Sequence, residues 1–127
     1  MGNGTSLGRV RGLGSSHSGA HHWLLQRVTA VSNLVLTAWF AVSLLLMPNF
    51  NYITVHDWIV SPVSAVGLSL LIISVLYHVQ LGMRVLIEDY VHEAGLKFGA
   101  LTALTLVVCG AGFYAVFTIA RLALGAA

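Results

Sequence analysis

Charge is what this sequence lacks most. Only 8% of its 127 residues are charged, six Lys or Arg against four Asp or Glu, while 57% are hydrophobic. A soluble domain carries about a quarter charged residues, so a chain this poor in charge has its apolar surface in lipid. At this length it is one domain, too small for both a membrane part and a separate catalytic domain, and any chemistry on a soluble substrate belongs to a partner. Cysteine is nearly absent as well. Cys109 stands alone inside an apolar run, which excludes an internal disulfide and a cysteine cluster for zinc or for iron and sulfur. The net charge of +2 comes without a dense basic run of the kind that tracks a phosphate backbone, which excludes nucleic acid as a partner. No internal repeat or low-complexity tract stands out.

What the chain does have is three long apolar segments, at about 28–47, 62–87 and 98–122. Each reaches or exceeds the roughly 20 residues a helix needs to cross about 30 Å of hydrocarbon. Backbone exposed to lipid must satisfy its own hydrogen bonds, so these segments are predicted to be helices, giving an all-α membrane protein with three transmembrane spans. The division is a Gly- and Ser-rich tail over 1–20, unable to bury a core, followed by an anchor domain over 21–127. The first span is too long for a cleaved signal, and no small-residue cleavage pattern follows Met47. The connecting stretch 48–61 carries Tyr52, His56, Asp57 and Trp58 and suits the membrane interface, after which Pro62 can open a helix without losing a needed hydrogen bond. The second span, about 26 residues and about 39 Å long, must tilt or protrude. Gly95 is placed to stop that helix before Lys97 opens the next. Arg9, Arg11, Arg27, Arg84 and Lys97 flank one side and Arg121 the other, so the positive-inside bias puts the N-terminus and the 88–97 loop in the cytoplasm or mitochondrial matrix, and the C-terminus opposite.

Three constellations could carry chemistry. His78 lies about ten residues inside an apolar span, where an ionisable side chain is expensive and normally has a specific partner. A histidine bonded to a neighbouring helix is the commoner arrangement. The sharper alternative is an axial ligand of haem iron, for which imidazole is a standard donor, with Gly82 on the same face leaving room for a flat group. The remaining histidines, His17, His21, His22, His56 and His92, fall outside the apolar cores, so a haem with two histidine ligands requires a second membrane subunit or a symmetric copy. Asp89 and Tyr90 close the same helix, with Tyr90 about 18 Å along the axis from His78 and about 120° around it. They are either an ordinary interfacial pair or a quinone contact, a phenol bonding the carbonyl while a carboxylate holds it or relays protons. His21, His22, Trp23 and Arg27 precede and open the first span. Arg27, with His22 nearby, either meets haem propionates or snorkels to the headgroups. Thr29, Ser32, Asn33 and Ser43 suit helix–helix packing.

Two blocks carry a family likeness: Gly12-Leu13-Gly14-Ser15 with His21-His22-Trp23 and Gln26-Arg27, and the run from Tyr77-His78-Val79-Gln80-Leu81-Gly82 through Met83-Arg84-Val85-Leu86-Ile87 to Glu88-Asp89-Tyr90-Val91-His92. Over nearly its whole length the chain resembles the smaller hydrophobic membrane anchors of succinate dehydrogenase, respiratory complex II, with alphaproteobacterial members most alike. The resemblance implies that His78 is the axial ligand of haem b and that Tyr90, with Asp89 beside it, binds ubiquinone. It also implies that Arg27 lies near the haem propionates. The implied partners are a second membrane anchor of cytochrome b556 type supplying the other haem histidine, an iron-sulfur subunit, and an FAD-containing flavoprotein that oxidises succinate. The chain is then not an enzyme by itself.

Competing readings are an anchor of a fumarate reductase or another quinone-linked dehydrogenase, a purely structural anchor without haem, and a small transporter. A diheme cytochrome needs more intramembrane histidines than His78, and a transporter needs a recurring polar stripe. With no evident targeting segment, the bacterial cytoplasmic membrane is favoured over the mitochondrial inner membrane.

Overall fold

A computed structural model describes residues 19–125. The tail 1–18, with Arg9, Arg11, His17 and the Gly12–Ser15 motif, lies outside the described residues. Four helices make up the described chain: α1 (Gly19–Leu45), α2 (Tyr52–Val60), α3 (Pro62–Tyr90) and α4 (Ala94–Ala123). Among them α1, α3 and α4 are long and apolar enough to cross a membrane, as expected. All three are longer than predicted, with 27, 29 and 30 residues, or about 40–45 Å at 1.5 Å per residue, although α1 ends at Leu45, short of the expected Met47. Their polar ends therefore extend beyond a hydrocarbon layer of about 30 Å. Gly19 and Ala20, expected in the tail, already belong to α1.

The short helix α2 is an addition to the three expected helices. Asn51 caps it by accepting from the Thr54 amide at 2.8 Å, so an orphan amide of the first turn is answered by a side chain, and Asn49 Oδ1 accepts from the Thr54 hydroxyl at 2.7 Å. Ser61 ends α2 and caps α3, whose first residue is Pro62, the expected role for that proline. At the other end Gly95 does not stop a helix. Helix α3 ends at Tyr90, with Val91 extended at φ −98° and ψ 106°, and Gly95 is the second residue of α4. Its lack of a side chain serves a close approach instead: a Cβ there would lie 3.1 Å from the Glu93 carboxylate. Lys97, in the first turn of α4, donates to the Glu88 carbonyl at 2.9 Å. That carbonyl is in the last turn of α3, where a cation answers unpaired acceptors.

The three long helices form an open row with α3 in the middle. Helix α3 packs against α1 on one flank and α4 on the other, and no Cα of α1 comes within 8 Å of one in α4. The pairing of Thr29 with His78 and of Trp39 with Gly67 makes α1 and α3 antiparallel; Gln80 with Thr105 and Leu76 with Gly112 do the same for α3 and α4. Only Thr29, Ser64, Ala65, Leu81 and Ile119 are buried among the described residues, while Leu34, Phe98 and Phe113 are more than 70% exposed. Such a surface belongs in hydrocarbon, where helices associate through small residues and close packing rather than through exclusion of water. The contacts fit that rule. The Trp39 ring lies against Gly67, the Leu76 side chain rests on Gly112, and Trp58 of α2 stacks on Trp39 with ring centroids 6.1 Å apart.

Candidate functional site

His78 faces α1. Its Nδ1 lies 2.9 Å from Thr29 Oγ1, and that oxygen lies 2.9 Å from the Leu25 carbonyl and 3.1 Å from the Gln26 carbonyl, one turn back in its own helix. Thr29 is buried, at 9% exposure, whereas His78 is half-buried, and Nε2 has no protein partner among the described residues. Beside this pair is a groove of about 300 Å³ lined by Trp23, Gln26, Arg27, Ala30 and His78. Arg27 lies over the Trp23 ring, its Cζ 4.8 Å from the ring centroid, a cation–π contact that fixes the guanidinium plane while leaving its N–H edge open. A Cβ built on Gly82, one turn beyond His78, meets no atom within 4 Å.

Two of the sequence-predicted residues, His78 and Arg27, thus share one groove. His22 is half-buried and does not line it. Asp89 and Tyr90 stand apart at the exposed end of α3. Tyr90 is 78% exposed, and neither residue makes a hydrogen bond or ion pair among the described residues. Their neighbour Glu88 is held by Arg84 at 3.5 Å, one turn back. On the opposite flank of α3, Gln80 donates to the Thr105 hydroxyl at 3.3 Å, so the polar groups of this helix divide between its two neighbours.

Thr29 is the residue that sequence reasoning misses, since it groups with Ser32, Asn33 and Ser43 as packing. Ser32 and Ser43 do bond only the carbonyls of Val28 and Trp39 in their own helix. One turn deeper than the Thr29–His78 pair, Asn33 on α1 and Ser74 on α3 each bury a side-chain oxygen without a partner among the described residues. Among the described residues no three His, Cys, Asp or Glu side chains converge as a metal cluster.

The family model described as succinate dehydrogenase/fumarate reductase transmembrane subunit matches residues 1–119. This chain belongs to that family. Curated relatives named succinate dehydrogenase hydrophobic membrane anchor subunit include one from Rickettsia bellii, 36% identical over 77% of this chain and 78% of its own. A second, from Rickettsia conorii, is 38% identical over 70% and 71% of the two chains. One from Paracoccus denitrificans is 30% identical over 92% and 90%. No solved structure gives a significant match. The likeness drawn from the His78–Tyr90 block is borne out at the level of the family. The groove between α1 and α3 and the exposed end of α3 are two separate places on this transmembrane subunit.

Proposed function

We propose that this chain is the membrane anchor of a succinate:quinone oxidoreductase, holding one side of a haem b through His78 and forming one wall of the ubiquinone site with Tyr90 and Asp89. The observation that carries the reading is the state of His78 inside the span. One ring nitrogen is engaged by Thr29, the other has no protein partner among the described residues, and an arginine lines the same groove.

The residues fit a haem. The imidazole of His78 would supply a nitrogen ligand to the iron, Arg27 would match the charge of a propionate, and the open space at Gly82 would admit a flat ring beside the helix. Bound there, the haem supplies a one-electron store within the membrane. His78 holds and orients it, Arg27 balances its carboxylates, and the apolar flanks of α1 and α3 exclude water. At the end of α3, Tyr90 donates a hydrogen bond to a quinone carbonyl, and Asp89 holds the phenol or passes a proton to the reduced oxygen.

With a single intramembrane histidine in this chain, a second histidine ligand would have to come from another membrane subunit. Electrons reach the quinone from an iron-sulfur subunit fed by an FAD flavoprotein that oxidises succinate. In this reading the anchor is not catalytic alone. It sits in a bacterial cytoplasmic membrane with its N-terminus and the loop joining α3 to α4 on the cytoplasmic side.

The test is a reduced-minus-oxidised spectrum of the detergent-purified complex, wild type beside His78→Ala and Tyr90→Phe, with succinate:quinone activity measured on each. His78→Ala abolishes the b-type signal. Tyr90→Phe keeps the signal and slows quinone reduction by roughly a hundredfold, the lower end of what a positioned acid or base contributes. A wild-type complex without haem, or a Tyr90→Phe complex with full activity, refutes the corresponding half of the proposal.

A further inference from the structure

We infer that Thr29 is a positioning residue for His78: its hydroxyl fixes the proton on Nδ1 and so presents Nε2, with its lone pair, as the iron ligand. The inference rests on the haem reading above and assigns a role to a residue that makes no contact with the haem iron itself.

The argument is a count of hydrogens. Thr29 Oγ1 has one proton and three close polar neighbours: the Leu25 carbonyl at 2.9 Å, the Gln26 carbonyl at 3.1 Å and His78 Nδ1 at 2.9 Å. Carbonyl oxygens only accept. If the hydroxyl proton went to Nδ1, two carbonyl oxygens would face the lone pairs of Oγ1 at hydrogen-bond distance with no proton between them. If the proton goes to a carbonyl, Oγ1 is left as an acceptor toward the ring, and the proton on that contact must be carried by Nδ1. Neutral imidazole has one N–H, so Nε2 is then the unprotonated nitrogen.

Burial makes the arrangement hold. Thr29 is 9% exposed, so water does not compete for the hydroxyl, and an unpaired ring N–H at this depth would cost the full desolvation of a polar group. The back-bond to α1 also fixes the position of Oγ1, because a threonine in a helix has only two χ1 wells that reach the preceding turn. His78 is thereby held in ring plane and tautomer before any iron arrives. A hydrogen bond to the far nitrogen of a ligating histidine raises the basicity of the near one and stabilises the more oxidised metal.

The consequence is read as a reduction potential. In the purified complex, Thr29→Val keeps the shape and removes the hydroxyl, and the haem midpoint rises by a three- to tenfold change in the oxidised-to-reduced ratio, tenfold being about 59 mV for one electron. Thr29→Ser keeps the hydroxyl and restores the wild-type midpoint to within about twofold. A role in packing alone predicts the reverse ranking, since serine loses the methyl group and valine keeps it. A second readout needs no variant: 15N NMR of the complex with labelled histidine, His78 being assigned by its loss in His78→Gln, places the ring proton on Nδ1. A proton on Nε2 overturns the inference, as does a Thr29→Val midpoint equal to wild type or a Thr29→Ser midpoint displaced as far as that of valine. If neither variant assembles, the NMR result on the wild type decides. A wild-type complex lacking haem removes the haem reading instead, and the proton position still decides whether Thr29 sets the tautomer.

Discussion

Two glycines on α3 meet opposite surroundings, and adding one methyl group to each separates packing from ligand binding. At Gly67 a Cβ would lie 2.7 and 2.9 Å from the Cζ3 and Cζ2 atoms of Trp39, and closer still to Cη2. The indole cannot retreat freely because it also stacks on Trp58, 24° from coplanar. Gly67→Ala is therefore an overpacking change, expected to destabilise the chain by about 1–3 kcal/mol. At Gly82 the new methyl meets nothing within 4 Å, and alanine is the better helix former by about 1 kcal/mol. By the chain's own contacts Gly82→Ala is neutral or stabilising. A haem held by His78 with its ring against the next turn reverses the second expectation in the complex alone: the methyl occupies space the ring needs, an overpacking cost of about 1–3 kcal/mol weakens binding roughly fivefold or more, and haem content drops below about half of wild type. The assays are an SDS titration of the full chain in mixed micelles for stability and a haem-to-flavin ratio on the purified complex for occupancy. Full haem content and an unchanged spectrum in Gly82→Ala would refute the placement of the ring against that turn, and unchanged stability in Gly67→Ala would refute the Trp39 contact.

Two further perturbations test the groove and the seam beneath it. Arg27→Gln removes a positive charge beside the proposed propionates, so the ferric haem becomes relatively more stable and the midpoint falls, opposite in sign to Thr29→Val; an unchanged potentiometric midpoint would place Arg27 among the lipid headgroups instead. Ser74→Ala deletes a buried hydroxyl oxygen that has no partner, so the SDS titration should show a change between neutral and about 1 kcal/mol of added stability. A loss of about 2 kcal/mol or more would reveal an ordered water bridging it to Asn33.

The existence of the spans is legible because about 20 or more apolar residues in succession admit few other structures. Their ends are not. His21, His22 and Gln26 lower the hydropathy of the first turns of α1 without opposing helix, so the apolar window begins late. At the other end of the row, Glu88, Asp89 and Tyr90 extend α3 past the hydrocarbon, and Gly95 resembles a stop only because the true stop, extended Val91, carries no special residue type. The helix α2 has a readable signal in Asn51 followed by Thr54, a polar cap ahead of an apolar turn, masked by its length of nine residues. Of the candidate site, His78 is legible as an expensive side chain in lipid and Arg27 as a basic residue opening the first span, suited to a propionate or to the headgroups. Thr29 is not, because 49 residues separate it from His78 and only the register of two antiparallel helices brings them together. A bond to a neighbouring helix and a role as ligand look like alternatives for His78 in the sequence. Imidazole has two nitrogens, and the bond to Thr29 occupies one while leaving the other open to a ligand.

The open row also decides where a partner can sit. Because α1 and α4 do not meet, α3 has no third long neighbour among the described residues, and most large apolar side chains face outward. Hydrocarbon satisfies leucine and phenylalanine as well as another protein does, so exposed apolar area alone does not separate lipid from a protein partner. The groove between α1 and α3 does. Arg27, Gln26 and the open nitrogen of His78 cannot be left against acyl chains without a heavy desolvation penalty, whereas the α3–α4 flank is lined largely by Ile73, Leu76, Val108 and Phe113 and suits lipid. On the proposed reading, a second membrane anchor bearing the opposing haem ligand would therefore sit over the α1–α3 groove, with α4 turned toward the bilayer.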